Sequence, residues 1–305
     1  MYPKPIFWTV DLYTILLTVG ILAAMVMVRF LSDKRGLKGE LQNFVLINTV
    51  VTVIGGYGLA VVTQAFYNME KNGGKFVLNN STGSTFYGGL VGGIALFLIG
   101  YFVVGKFLFK TGYNVKHFRT VSDIAACAIA VGHGFGRLGC LMAGCCYGAK
   151  TDAWYGIYMQ HLGHKVVPVQ LYEALFLFAL CAVMTFLVIK KIRFQMPIYL
   201  LSYGVWRFLI EYVRDDYRGS IFGLSWLSPS QVISIGLFLA GIILFVCEIC
   251  ADRKHAKLTP VLAAEETAPM PADITEAVTD EVTEAVTEEV GENMPEERES
   301  NDQEA

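Results

Sequence analysis

Long runs of apolar residues alternate with short polar segments along the chain. A helix needs ~20 apolar residues to cross the hydrocarbon core of a bilayer. Seven runs approach or reach that length: 10–31, 43–67, 86–109, 121–147, 168–190, 196–213 and 229–250. The first run lacks the basic segment of a cleaved signal peptide and is long enough to span. The pattern predicts an all-α polytopic membrane protein with seven transmembrane helices.

Composition and loop charge add an orientation to this prediction. The chain is 54% hydrophobic with a mean hydropathy of +0.48, which excludes an ordinary soluble domain. Basic residues cluster after every odd-numbered run: Lys34, Arg35, Lys38; Lys110, Lys116, Arg119; Lys190, Lys191, Arg193; Arg253, Lys254, Lys257. The positive-inside rule therefore places the N-terminus outside and the C-terminus in the cytoplasm.

The C-terminal segment differs in character from the rest. Residues 261–305 carry 15 acidic residues and one basic residue, Arg298, and they repeat EAVTDEVTEAVTEEV. Such a composition is typical of disorder. We predict a membrane domain over 1–258 and an acidic, disordered cytoplasmic tail over 259–305. The tail is either a solvated extension or a segment that binds a partner.

Ionisable residues lie inside the predicted spans, at Arg137, Glu173, Arg207 and Glu211, with His133 as a fifth candidate. A charge at bilayer depth is costly and indicates a functional site. The predicted orientation puts all of them toward the outer leaflet. Two guanidinium groups at one depth suit an anion, because each can hold phosphate through two hydrogen bonds. The abundant anion at that depth is a phospholipid headgroup.

Two structural interpretations of these residues stay open. Arg207 and Glu211 are four residues apart on one helix face and could form an ion pair with no further role. Both arginines could also extend toward headgroups without taking part in chemistry.

Glycines accompany the charged residues in FYGGLVGG (86–93) and GFGRLG (134–139). They would allow close backbone approach, or a broken helix that lines a cavity. Ordinary helix packing through small residues is the alternative.

The cysteines invite a metal hypothesis, since Cys140, Cys145, Cys146 and His133 could supply four ligands. The spacing lacks a C-x₂-C pair, and adjacent cysteines on a helix point about 100° apart. We therefore expect no metal and treat these thiols as small buried hydrophobes. A redox-sensitive pair of Cys145 and Cys146 is the alternative.

Five segments together resemble motifs that one bacterial family carries in the same order. They are STFYGGLVGG (84–93), VSDIAACAIAVGHGFGRLGC (121–140), VPVQLYE (167–173), YGVWRFLIEYVRDD (203–216) and SQVISIGLFLAG (230–241). Over residues 43–250 the chain resembles the prolipoprotein diacylglyceryl transferases. That family has seven spans with the N-terminus outside, which matches the topology predicted above.

The resemblance implies an activity. Members of the family transfer the diacylglyceryl group of phosphatidylglycerol to the lipobox cysteine thiol of a preprolipoprotein, and glycerol phosphate leaves. The implied partners are phosphatidylglycerol and a preprolipoprotein signal peptide, with no nucleic acid and no metal or organic cofactor. The implied location is the bacterial inner, or plasma, membrane.

The resemblance also assigns site residues. It carries the family's essential arginines onto Arg137 and Arg207, and Tyr87 stands where the family has a histidine. Tyr87 and His133 are candidates for removing the thiol proton. The predicted substrate-binding residues are Gly88, Gly89, Gly136, Gly139, Cys140, Gln170, Tyr172, Glu173 and Glu211. Cys140 and Cys145 replace an asparagine and a glutamate of the family.

Two other functions remain compatible with the sequence. The same cavity could bind or transport an anionic lipid without turnover, although no inverted repeat supports a transporter. A thiol redox membrane protein built on Cys140, Cys145 and Cys146 is the second alternative.

Overall fold

A computed structural model describes residues 10–70, 72–79, 81–214 and 227–267, with side chains as far as residue 253. The helices are α1 (Leu12–Lys34), α2 (Gly39–Asn68), α3 (Phe86–Ile99), α4 (Gly105–Leu108), α5 (Tyr113–Ala143), α6 (Val169–Ile189), α7 (Gln195–Ile210) and α8 (Pro229–Thr267). A π-helical turn, Gly100–Val104, joins α3 to α4, and a 3₁₀ turn, Glu211–Val213, follows α7. The protein is therefore predominantly helical.

Most of the predicted spans correspond to helices that could cross a membrane. In the described part of the chain, six stretches are long and apolar enough: α1, α2, Phe86–Leu108, α5, α6 and Pro229–Arg253. The sixth predicted run, 196–213, coincides with α7 and its 3₁₀ turn. Helix α7 has 16 residues and is about 24 Å long, shorter than the hydrocarbon core. The protein is a multi-pass membrane protein by these helices, and the seventh span stays a prediction.

Helix α5 differs from its prediction at both ends. It begins at Tyr113 rather than 121, and it ends at Ala143 rather than 147. The end is set by Gly144, whose φ of +74° is the left-handed conformation that closes helices. The helix runs without a break through GFGRLG, so the broken-helix alternative is wrong for this segment. The glycines there serve close packing or leave open space instead.

Glycine contacts hold α1 against α5 and α2 against α3. A Cβ atom on Gly20 would lie 2.8 Å from the Cβ of Phe135 and 3.2 Å from the carbonyl oxygen of Gly132. A Cβ atom on Gly88 would lie 2.5 Å from the hydroxyl of Thr63 on α2. Real side chains do not tolerate such distances, so the backbones approach as they do because these positions lack a Cβ.

Replacing Gly20 by alanine is expected to lower the free energy of unfolding by about 1–3 kcal/mol, because the added methyl group overpacks the α1–α5 contact. Thermal unfolding of the purified protein in detergent micelles measures the change as a lower Tm. Gly58→Ala is the matched control, since a Cβ atom there meets nothing within 4 Å. Equal Tm values for the two variants would show that the α1–α5 contact adapts to the methyl group.

A small β-hairpin separates α5 from α6 and departs from the all-α prediction. Strands β1 (Ile157–Met159) and β2 (His164–Val166) pair antiparallel, with Ile157 opposite Val166. The loop that leads into the hairpin is tied to the end of α7, because the Ala149 amide donates to the Val213 carbonyl at 2.9 Å. This hydrogen bond helps to fix the loop that follows Gly144.

The chain divides into two units, residues 1–248 and 249–305. The described portion of the second unit is the end of α8, which reaches Thr267. Residues 259–267 of the predicted disordered tail are therefore helical, as their leucine and alanine content favours. Residues 268–305, the rest of the predicted tail, lie outside the described residues.

Candidate active site

The ionisable residues predicted inside the spans meet at one end of three helices. Arg137 lies in the last two turns of α5, Glu173 in the second turn of α6, and Arg207 in the last turn of α7. The Nε of Arg137 is 3.1 Å from Oε2 of Glu173, whose side chain is 1% exposed. Arg137 and Glu173 therefore form an ion pair between α5 and α6.

Two tyrosines and a histidine complete the surroundings of Arg137. The hydroxyl of Tyr203 donates to Oε1 of Glu173 at 2.7 Å and lies 3.5 Å from Nη2 of Arg137. His133, one turn before Arg137, places Nε2 at 3.3 Å from Nε of Arg137 and Nδ1 at 3.1 Å from the hydroxyl of Tyr199. Because a guanidinium only donates, Nε2 of His133 is the nitrogen with the lone pair.

Arg207 forms the second half of the site. Its Nη2 lies 2.8 Å from Oε2 of Glu211 and donates to the hydroxyl of Ser230, at the start of α8, at 2.7 Å. The side chain is 7% exposed, and its buried Nη1 has no hydrogen-bond partner among the described residues. A buried guanidinium nitrogen left without an acceptor is unfavourable unless a ligand supplies one. The ion pair with Glu211 therefore leaves part of Arg207 available.

Tyr203 belongs to the same helix as Arg207 and contacts Arg137. It lies one turn before Arg207 on α7, and its hydroxyl contacts Arg137 of α5. Glu211 is shared, because Arg214 also approaches its Oε2, at 3.6 Å. Three arginines thus stand beside the two carboxylates of Glu173 and Glu211, which leaves a positive excess. The arrangement suits a phosphate group, for which guanidinium forks are matched in geometry and charge.

The other predicted substrate-binding residues divide by position. Gln170 is buried and donates to the carbonyl of Cys145 at 2.5 Å, so it positions the loop after α5. Tyr172 packs in a small apolar cluster with Val169 and Ile210. A Cβ atom on Gly139 would lie 3.0 Å from the ring of Tyr13, whereas one on Gly136 would meet nothing within 4 Å. Gly136 alone among these glycines borders open space.

Tyr87 and its glycines lie on a different helix pair. Tyr87 is at the start of α3, 44% exposed, with its ring against Phe86. Gly88 and Gly89 face α2, where a Cβ atom on Gly89 would lie 3.2 Å from the Cβ of Ala60. Within the described ranges, no hydrogen bond or ion pair joins Tyr87 to Arg137 or Arg207. In the described part of the structure, Tyr87 is therefore not bonded to either arginine.

Four further residues shape the site and were not singled out from the sequence. Tyr199, Tyr203 and Ser230 supply the hydroxyls described above, and Gly148 allows the loop to pass. A Cβ atom on Gly148 would lie within 2.9 Å of the carbonyl oxygens of Val213 and Val167. Tyr203 and Ser230 belong to two of the five segments that resemble family motifs. The one-turn spacing of Tyr203 from Arg207 was the sequence feature that could have identified it.

The cysteines after Arg137 converge, contrary to the expectation from helical spacing. The Sγ atoms of Cys140, Cys145 and Cys146 all lie within 4.8 Å of one another. The expectation was wrong because α5 ends before Cys145, and the chain then turns back at Gly144. Contact with the other two thiols lowers the pKa of the Cys146 thiol well below its usual range, and Arg214 acts in the same direction.

Comparison with known proteins places the chain in a family. The sequence model described as prolipoprotein diacylglyceryl transferase matches residues 5–247. The chain is 30% identical over 254 residues to phosphatidylglycerol–prolipoprotein diacylglyceryl transferase 2 of Clostridium perfringens, covering 80% of this chain and 93% of that protein. It is 28% identical over 242 residues to the corresponding enzyme of Clostridium tetani, covering 76% and 91%. The same enzyme of Dehalococcoides mccartyi is 28% identical over 269 residues, covering 81% and 92%. The resemblance first seen in five short segments thus extends over most of the chain, which belongs to the prolipoprotein diacylglyceryl transferase family.

Proposed function

We propose that this protein transfers the diacylglyceryl group of phosphatidylglycerol to a cysteine thiol of a preprolipoprotein. The observation that carries the proposal is the buried Arg207, whose Nη1 lacks an acceptor among the described residues and which lies one turn after Tyr203, a contact of Arg137. The related enzymes are named for phosphatidylglycerol and prolipoprotein, and phosphatidylglycerol presents a phosphate to such a pair.

The reaction explains why two arginines are needed. The acceptor sulfur attacks the glycerol carbon that bears the phosphate ester, an S–C bond forms, and the C–O bond breaks with its electron pair going to the phosphate oxygen. The products are a diacylglyceryl thioether and glycerol phosphate. The phosphate gains a second negative charge as it leaves, and prepositioned donors stabilise that charge most in the transition state. We assign this role to Arg137 and Arg207.

The carboxylates hold the arginines in place. Glu173 holds Arg137 through Nε, and Glu211 with Ser230 holds Arg207 through Nη2. One nitrogen of each guanidinium is therefore held by a carboxylate, which fixes the orientation of the group. The other nitrogen atoms can donate hydrogen bonds to the phosphate. Preorganisation of this kind removes the free-energy cost of arranging donors during the reaction.

We propose that His133 rather than Tyr87 removes the proton of the acceptor thiol, because Nε2 of His133 lies 3.3 Å from Arg137. The single Nε–H of Arg137 also faces Glu173, which frees the Nε2 lone pair for the thiol proton. His133→Gln, which keeps a polar side chain but no base, is expected to reduce transfer about 10²-fold. Initial rates with a lipobox peptide measure this. Tyr87→Phe is the comparison and is expected to stay within about threefold of wild type, because the hydroxyl contributes only if it meets the substrate. The opposite pattern would transfer the role to Tyr87.

For the membrane arrangement we propose seven spans, with α7 and its 3₁₀ turn as the sixth, an N-terminus outside and a cytoplasmic C-terminus. Support comes from the basic residues that follow α1, α4, α6 and the apolar part of α8. The location would be the bacterial inner, or plasma, membrane. The arginines then lie near the outer surface, where the signal peptide of a preprolipoprotein presents its cysteine.

Incubation of the purified protein with phosphatidylglycerol and a lipobox peptide tests the activity directly. Mass spectrometry is expected to show a peptide heavier by one diacylglyceryl group. Arg119→Gln is the matched control for variants of the site arginines. Arg119 lies in α5 as Arg137 does and also faces a carboxylate, Glu248 at 3.4 Å. An unmodified peptide, with phospholipid still recovered from the protein, would favour lipid binding without turnover.

A further inference from the structure

The thiols of Cys140, Cys145 and Cys146 form a cluster that the transfer reaction does not use. Their exposure separates them from the packing cysteines of the same protein. Cys127 and Cys181 are buried, as small hydrophobes are, whereas Cys145 is exposed and Cys140 and Cys146 are partly exposed. A thiol that only fills space in the core has no reason to lie at the surface beside two others.

The backbone holds the three thiols together without help from a bound group. The amide of Cys145 donates to the carbonyl of Cys140 at 3.1 Å, and the carbonyl of Cys145 accepts from buried Gln170. Cys146 has a φ of +62°, which is a left-handed backbone conformation. This conformation costs a residue with a Cβ atom about 1 kcal/mol. The chain therefore accepts strain at the residue that directs the third thiol to the other two.

The separation of the sulfur atoms is compatible with three ligands of one metal ion. A tetrahedral zinc ion with Zn–S bonds of about 2.3 Å places its sulfur ligands about 3.8 Å apart. The three Sγ atoms all lie within 4.8 Å of one another, so the largest separation exceeds that spacing by no more than about 1 Å. A disulfide needs a separation of about 2.05 Å and would leave one thiol over.

We propose that Cys140, Cys145 and Cys146 bind one thiophilic d¹⁰ metal ion of the zinc class through three sulfur ligands. The fourth tetrahedral position is left for a ligand outside this cluster. Soft sulfur ligands select such ions over magnesium or calcium. Zn²⁺ with three thiolates carries a net charge of −1. Two guanidinium groups oppose this charge, because Arg137 lies three residues before Cys140 on α5 and Arg214 interacts with the Cys146 thiol.

Metal content of the full-length protein tests the proposal without an activity assay. Protein purified without chelators, then dialysed against Zn²⁺, is expected to retain one ion per chain by mass-spectrometric elemental analysis. Cys140→Ser, Cys145→Ser and Cys146→Ser are each expected to weaken binding about tenfold or more. Cys247→Ser is the matched control, because Cys247 is exposed, as Cys145 is, but lies on α8. It is expected to keep the ion.

A second measurement on the unaltered protein covers the case in which a serine variant fails to fold. The bound ion should protect the three cysteines from alkylation by N-ethylmaleimide, and a chelator should remove that protection while Cys247 reacts equally in both conditions. Peptide mass spectrometry reads each site separately. Absence of zinc in the wild type, equal zinc in the triple serine variant, or a disulfide among the three cysteines would each overturn the proposal.

Discussion

Replacing Arg207 by alanine is expected to reduce diacylglyceryl transfer by about 10³-fold, with little effect on folding. The large effect follows from the loss of a charged donor that faces the leaving phosphate, for which a single preorganised donor contributes about 10²–10³ in kcat. The small effect on folding follows from Glu211, which keeps Arg214 at 3.6 Å after Arg207 is gone. Initial rates with a lipobox peptide and the Tm in detergent measure both.

Arg207→Lys separates charge from geometry. Lysine keeps one positive charge but cannot contact Glu211, Ser230 and a phosphate through one planar group. We expect it to recover less than about a tenth of the wild-type rate. Full recovery would mean that charge alone suffices, and a wild-type rate for Arg207→Ala would remove Arg207 from the reaction. Arg119→Gln, at the other end of α5, controls for the general effect of removing a membrane-protein arginine.

The positions of the spans and of the charged site residues could be predicted from the sequence because both depend on the apolar interior of the lipid bilayer. Apolar runs of spanning length are visible without knowledge of packing, and a charge within them is costly enough to mark a site. Arg137, Glu173 and Arg207 were identified on that ground, and the structure places Arg137 and Glu173 in contact with Tyr203, one turn before Arg207 on α7. The loop charges predicted an orientation by the same logic.

Side-chain partners and loop conformation could not be predicted in this way. Tyr203 and Ser230 are ordinary residues in apolar helices, and only the approach of α5, α7 and α8 makes them partners of the arginines. The cysteine cluster depended on where α5 stops. With the helix extended to 147 the thiols diverge, and with its end at Gly144 they meet. The position of one helix end thus decides whether the three thiols diverge or converge.

Glu173→Gln is expected to lower the free energy of unfolding by about 3 kcal/mol and to reduce transfer strongly. The carboxylate is 1% exposed, accepts from Tyr203 and faces Nε of Arg137, so the amide leaves a mostly buried guanidinium without its counter-charge. Because Glu173 acts through Arg137, we expect kcat to fall more than KM rises. Glu173→Asp, which keeps the charge, should recover part of the rate.

The double variant Arg137→Gln, Glu173→Gln distinguishes positioning from simple structural support. Removing both charges eliminates the uncompensated one, so the Tm is expected to rise above that of Glu173→Gln. Transfer is expected to stay at the level of Arg137→Gln, because the phosphate has still lost a guanidinium. Recovery of stability without recovery of activity would show that the Glu173 carboxylate matters to the reaction through Arg137. If both recovered together, Arg137 would have no part in the chemistry, and the phosphate would be held by Arg207 alone.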